Sequence, residues 1–127
     1  MILNSKEKAL KIAKILHDKK ASDIKILELK DLTIITDYFV ICSADSTTQV
    51  KAITEHIEET MAEEGLKPLS IEGFNYAHWV LMDYGDVIVH IFIEETRLYY
   101  DLERLWLDAP RIQFEPFTSQ KSHAMYK

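Results

Sequence analysis

The stretch Tyr38-Phe39-Val40-Ile41-Cys42-Ser43-Ala44 has no charged residue and no polar-apolar alternation. A strand with one wet face alternates, because successive side chains point to opposite sides. An unbroken run of this kind predicts a strand buried on both faces, at the centre of a sheet. Directly after it, Ser46-Thr47-Thr48-Gln49 matches a capping box, and Val50, Ile53, Ile57 and Met61 recur at helical spacing. Gly65 supplies a stop for that helix. A central strand that feeds a helix places the chain among α/β folds.

The flanking sequence fits the same plan. A first helix is predicted to begin at Asn4 or Ser5, with Ala9, Leu10, Ile12, Ala13 and Leu16 on one face and Lys8, Lys11, Lys14 and Asp18 on the other. Ile24 to Leu29 reads as a strand, with Ile24 and Ile26 sharing a face, and Leu69 to Glu72 as a short one. Ala77–Asp83 and Asp86–Ile93 read as a hairpin about Asp83-Tyr84-Gly85-Asp86. A final helix is expected with Thr96 as its cap, Leu98, Tyr99, Leu102, Leu105 and Trp106 as its apolar face, and Pro110 at its end. Interleaved strands and helices with one late hairpin imply a mixed sheet with helices packed on it. Neither a repeat nor a linker interrupts the chain. One domain is expected over residues 1–115, with residues 116–127, which lack periodicity, as a flexible tail.

Charge is unevenly spread. Residues 1–25 carry seven lysines and three acids, a balance of +4, whereas residues 26–108 carry five basic residues and seventeen acids, a balance of −12. The acidic middle repels phosphate backbones, which argues against direct DNA binding and favours a basic protein partner. The lysine face of the first helix could touch RNA, but a solvated outer face explains it more simply. A single cysteine excludes an intrachain disulfide and fits a reducing compartment. Neither a signal-peptide pattern nor a run of ~20 apolar residues is present, so a cytoplasmic protein without a membrane segment is expected.

No catalytic set emerges. The five histidines lack helical metal-site spacing, and no Cys-x-x-Cys accompanies them. His90, amid Val87-Ile88-Val89-His90-Ile91-Phe92, reads as a hydrogen-bonded structural residue. Ser43 and Ser46 lie between a strand and a helix, where a nucleophile or phosphate site could stand, yet no glycine accompanies them and capping explains them. Asp83 and Asp86 flank Tyr84-Gly85, where turn chemistry accounts for both acids without a metal. No metal, cofactor or catalytic residue is therefore expected.

Three blocks carry a family resemblance. They are Thr36–Ala44 continuing through Ser46–Val50, Glu72-Gly73 with Trp79–Phe92, and Arg97–Trp106. Together with the first helix, these resemble the ribosomal silencing factor family, also called Iojap-related proteins, over about residues 5–110. The resemblance implies a nucleotidyltransferase-like fold with a mixed sheet of about five strands and flanking helices, but without transferase chemistry. It implies a translation repressor that binds the fourteenth protein of the large ribosomal subunit and sterically blocks joining of the small subunit when nutrients are scarce. It also implies a possible homodimer when the protein is free. Trp79, Asp83, Tyr84, Asp86, Tyr100, Glu103 and Trp106 are the candidate partner-binding residues, with the strand face of Trp79, Leu81 and Asp83 as the expected docking surface. The alternative is a nucleotidyltransferase-like nucleotide-binding protein, which would need clustered carboxylates beside a phosphate loop.

Overall fold

In the computed structural model, which describes residues 2–114, the elements run α1 (Ser5–Asp18), β1 (Ser22–Glu28), β2 (Tyr38–Ala44), α2 (Thr47–Ala62), β3 (Ser70–Glu72), β4 (Trp79–Asp83), β5 (Val87–Ile93) and α3 (Glu94–Tyr100). A 3-10 turn over Leu102–Trp106 follows. The expected tail over residues 116–127 lies outside the described residues.

The strands form one mixed sheet in the order β1-β2-β5-β4-β3. Only β2 and β5 run parallel, and every other neighbouring pair is antiparallel. The uncharged run forms β2, whose seven residues are all buried, as its lack of alternation requires. β4 and β5 pair as the expected hairpin. Beyond the last turn, the chain returns to the free edge of β1. There Glu28 donates to the Pro110 carbonyl and Ile112 to that of Ile26, which covers an otherwise open edge.

Local sequence sets the helix starts. Asn4 caps α1 with a full capping box: the Asn4 side chain accepts from the Glu7 N–H, and the Glu7 carboxylate accepts from the Asn4 N–H. Ser46 caps α2 by accepting from the Gln49 N–H at 3.1 Å, while the Gln49 side chain reaches back to the Asp45 N–H rather than to that of Ser46. Both helices lie on one face of the sheet. Ile12 and Leu16 of α1 and Val50, Ile53, Ile57 and Met61 of α2 pack there with Val40, Val80, Met82 and Ile91. At ~25 cal/mol per Å² of apolar surface removed from water, this layer is the main stabilising element.

The segment after β5 differs from its sequence expectation. Thr96 does not cap the last helix. α3 starts at Glu94 directly from the end of β5, its N-cap is Ile93, and no side chain caps it. The single helix expected through Trp106 is broken at Asp101, whose φ of 50° is left-handed and stops helical continuation. The break splits the expected apolar face. Leu102 and Trp106 pack inward, whereas Leu98, Tyr99 and Leu105 are exposed.

Candidate functional site, a half-open sheet face

The sheet's other face is covered unequally. Leu27 and Leu29 beside β2, with Phe39, Ile41, Ile88 and Phe92, form a second core cluster that takes Leu102, Trp106 and Ala109 from the segment after α3. β4 contributes Trp79 and Leu81 to the same face, because alternate residues point the same way. Its burial alternates accordingly, with Val80 and Met82 buried under the helices and Trp79, Leu81 and Asp83 only half buried. A shallow depression of about 300 Å³ opens there, lined by Glu72, Gly73, Trp79 and Leu81.

Strand register fixes the aromatic arrangement. Trp79 stands opposite Phe92, and Leu81 opposite His90. The indole of Trp79 stacks on Phe92 with ring centres 4.8 Å apart and leans on Tyr100 at 5.0 Å. Its Nε1–H donates to His90 Nδ1 at 3.1 Å. That bond requires Nδ1 of His90 to be unprotonated, so the neutral ring carries its proton on Nε2. Burial pushes the His90 pKa down to about 3, which keeps the acceptor available at neutral pH. The indole is thus held at its polar end while Trp79 stays partly exposed.

The other candidate residues divide by environment. Tyr100 is exposed beside Trp79. Trp106 is half buried, its ring edge-on to Phe39 at 6.1 Å. Asp83 accepts from the Gly85 N–H at 2.7 Å and so shapes the hairpin turn. Tyr84 is only 7% exposed and packs in the core on the helical side, so its ring offers no surface anchor. Asp86, expected to meet a partner cation, accepts from Lys8 at 2.7 Å, and its backbone carbonyl takes the N–H groups of Asp37 and Tyr38. Glu103, expected at the surface, binds Arg97 with both oxygens, at 3.2 and 2.9 Å. The acids at 86 and 103 are therefore occupied within the fold.

Arg97 is the organising residue that sequence reasoning missed. It is 4% exposed and donates to the Asp23 carbonyl at 2.8 Å and the Ser43 hydroxyl at 2.9 Å, besides Glu103. It pins α3 and the 3-10 turn over the ends of β1 and β2. A buried guanidinium needs such a full set of acceptors, and the signal was available in Arg97 as the one basic residue between Lys67 and Arg104. Cys42 is fully buried, and desolvation pushes its thiol up to about 12, so it is unreactive. Among the described residues no group of three or more His, Cys, Asp and Glu side chains is arranged to hold a metal, and no helix is long and apolar enough to cross a membrane.

Comparison with known proteins gives a consistent picture. The family model described as "Ribosomal silencing factor during starvation" matches residues 2–127. The chain is similar to ribosomal silencing factors of Halalkalibacterium halodurans, 43% identical with 77% of this chain and 84% of that one covered, and of Bacillus subtilis, 46% identical with 73% and 79% covered. A mouse protein named for mitochondrial assembly of the ribosomal large subunit is 30% identical, with 75% of this chain and 43% of that one covered. A crystal structure of a Chromobacterium violaceum protein superposes with a TM-score of 0.80 at 32% identity, covering 88% of this chain and 92% of the other.

Proposed function

The chain belongs to the ribosomal silencing factor family, and on that premise we propose that it represses translation by docking on the large ribosomal subunit through the half-open face of Trp79 and Leu81. The partner is the fourteenth protein of that subunit, and the bound domain keeps the small subunit from joining by occupying the space it needs. Repression follows when nutrients are scarce.

One observation carries this reading. The face holds Trp79 and Leu81 half exposed beside exposed Tyr100, within a segment whose balance is −12. Interfaces combine a few large aromatic or apolar anchors with a polar rim, and charge complementarity to a basic ribosomal protein steers the encounter. A blocking mechanism also asks nothing of the protein chemically. It needs a rigid body and a docking face, so no catalytic residue, metal or cofactor enters it. The free protein uses the same face to pair with a second copy, since uncovered apolar surface favours self-association.

Sedimentation with separated ribosomal subunits tests the reading. The protein is expected in the large-subunit fraction and not with the small subunit, and Leu81→Arg is expected to release it. Recovery with the small subunit alone would reject the proposal.

A further inference from the structure

A cleft of about 290 Å³ borders the docking face, lined by Gly73, Tyr76, His78, Trp79, Thr96 and Tyr100. An unusual turn builds it. Gly73 and Ala77 both have positive φ, at 83° and 61°, and the Ala77 N–H donates to the Gly73 carbonyl at 2.8 Å. Gly73 admits no side chain, because a Cβ there would overlap the carbonyl of Trp79. Ala77 is fully buried in the main core. With Ala77 turned in, Tyr76 and His78 stack on each other at 4.0 Å. Across the cleft, Trp79 and Tyr100 meet at 5.0 Å, tilted by 48°. Core packing does not explain these tyrosines, since Tyr76 is 75% and Tyr100 56% exposed. A left-handed non-glycine residue beneath exposed rings is the kind of local strain that accompanies binding sites.

The chemistry of the lining selects a cation. Aromatic faces carry negative potential, and cations seat over them within about 6 Å. No lysine or arginine lines the cleft. Glu72 borders the adjoining depression that shares Gly73 and Trp79, and Glu95 precedes Thr96 in sequence. Both carboxylates are exposed, and among the described residues neither joins an ion pair. We propose that this cleft receives a lysine or arginine side chain of the protein partner, seated against Tyr76, Trp79 and Tyr100. The inference rests on the docking reading above and adds to it the partner group that the face selects.

Two arms test it. In the first, large-subunit affinity is measured for Tyr76→Leu, Tyr100→Leu, Tyr76→Phe, Tyr100→Phe and Leu81→Arg, each confirmed folded by its melting curve. The leucine variants keep apolar bulk but lose the π face, and each is expected to bind about fivefold to tenfold more weakly. The phenylalanine variants are expected within about twofold of the parent. Parental affinity in both leucine variants, with Leu81→Arg still defective, would overturn the cation cleft and leave the docking face standing. Parental affinity in Leu81→Arg would overturn the docking reading instead. The second arm uses no ribosome. Nα-acetylarginine amide is expected to shift the NMR signal of the Trp79 indole N–H and not that of Trp106, whereas the uncharged citrulline analogue leaves both in place. Equal shifts from the two compounds, or none from either, would overturn the proposal independently.

Discussion

The Trp79 indole N–H is bonded to Nδ1 of His90 at 3.1 Å, which ties the most prominent side chain of the open face to a buried residue of the central hairpin. The pair links core chemistry to surface presentation. His90 stays neutral because burial lowers its pKa from 6.5 to about 3. In the unfolded chain it titrates at its ordinary value. Between pH 6.5 and 3 the unfolded state therefore holds more protons, and stability falls as pH falls through that window.

The expected outcome is a loss of up to about 5 kcal/mol from this residue across the window, with no contribution above pH 6.5. His90→Phe abolishes the titration and should flatten the pH dependence of urea unfolding relative to the parent. The variant also leaves the Trp79 N–H without its acceptor, at a cost of ~1–3 kcal/mol at neutral pH. Identical pH profiles for the two proteins would show that His90 is not buried as described.

Glu103→Lys is expected to damage the fold rather than only a surface. Arg97 is buried, and Glu103 gives it two hydrogen bonds. Breaking a buried pair from one side costs roughly 3–5 kcal/mol when nothing replaces the lost partner, and the Asp23 carboxylate, 3.6 Å from Arg97 and half exposed, offsets part of that. Thermal melting should show a large drop for Glu103→Lys and a smaller one for Glu103→Gln, which keeps one acceptor. An unchanged melting temperature in Glu103→Lys would show that Arg97 does not depend on it.

Asp86→Lys should also lower stability, by about 1–3 kcal/mol, because it sets two cations together beside the hairpin. The Lys8 side chain is 10% exposed and Asp86 is 37% exposed, so solvent screens part of the loss. Lys8→Met in the Asp86→Lys background should recover most of it, because it removes one of the two cations. Additive effects in the double variant would show that the two residues do not interact.

Tyr84→Phe is expected to leave stability unchanged or raise it by about 1 kcal/mol. The Tyr84 hydroxyl is buried without a hydrogen-bond partner among the described residues. Desolvation, with the Glu58 charge adding to it, pushes its pKa up to about 12, so it stays protonated. Large-subunit binding should be unaffected. A binding defect in Tyr84→Phe would return this residue to the docking surface.

These cases show what the sequence made legible. Hydrophobic patterning gave the sheet and the two long helices. The uncharged Tyr38–Ala44 run gave the central strand, and the spacing from Val50 to Met61 gave α2. That Trp79, Leu81 and Asp83 share a face followed from alternation, and the acid at Asp83 marked the end of that face as reaching solvent. The short elements were less legible. Nothing in Arg97–Trp106 announces that Asp101 turns left-handed, because an aspartate tolerates that conformation without requiring it. Side-chain pairing across sequence distance was hidden as well. Asp86 and Glu103 look like free surface acids until the fold brings Lys8 and Arg97 to them. Tyr84 sits at a hairpin turn, a usual place for exposure, yet its ring is drawn beneath the helices.

The most direct test of the central claim is subunit joining followed by light scattering. Separated subunits are mixed at a magnesium concentration that supports association, with increasing amounts of the protein. Joining is expected to fall toward zero as the large subunit is saturated, and Leu81→Arg should leave joining intact at the same concentrations. Full-speed, full-extent joining with the parent protein bound to every large subunit would contradict the steric account.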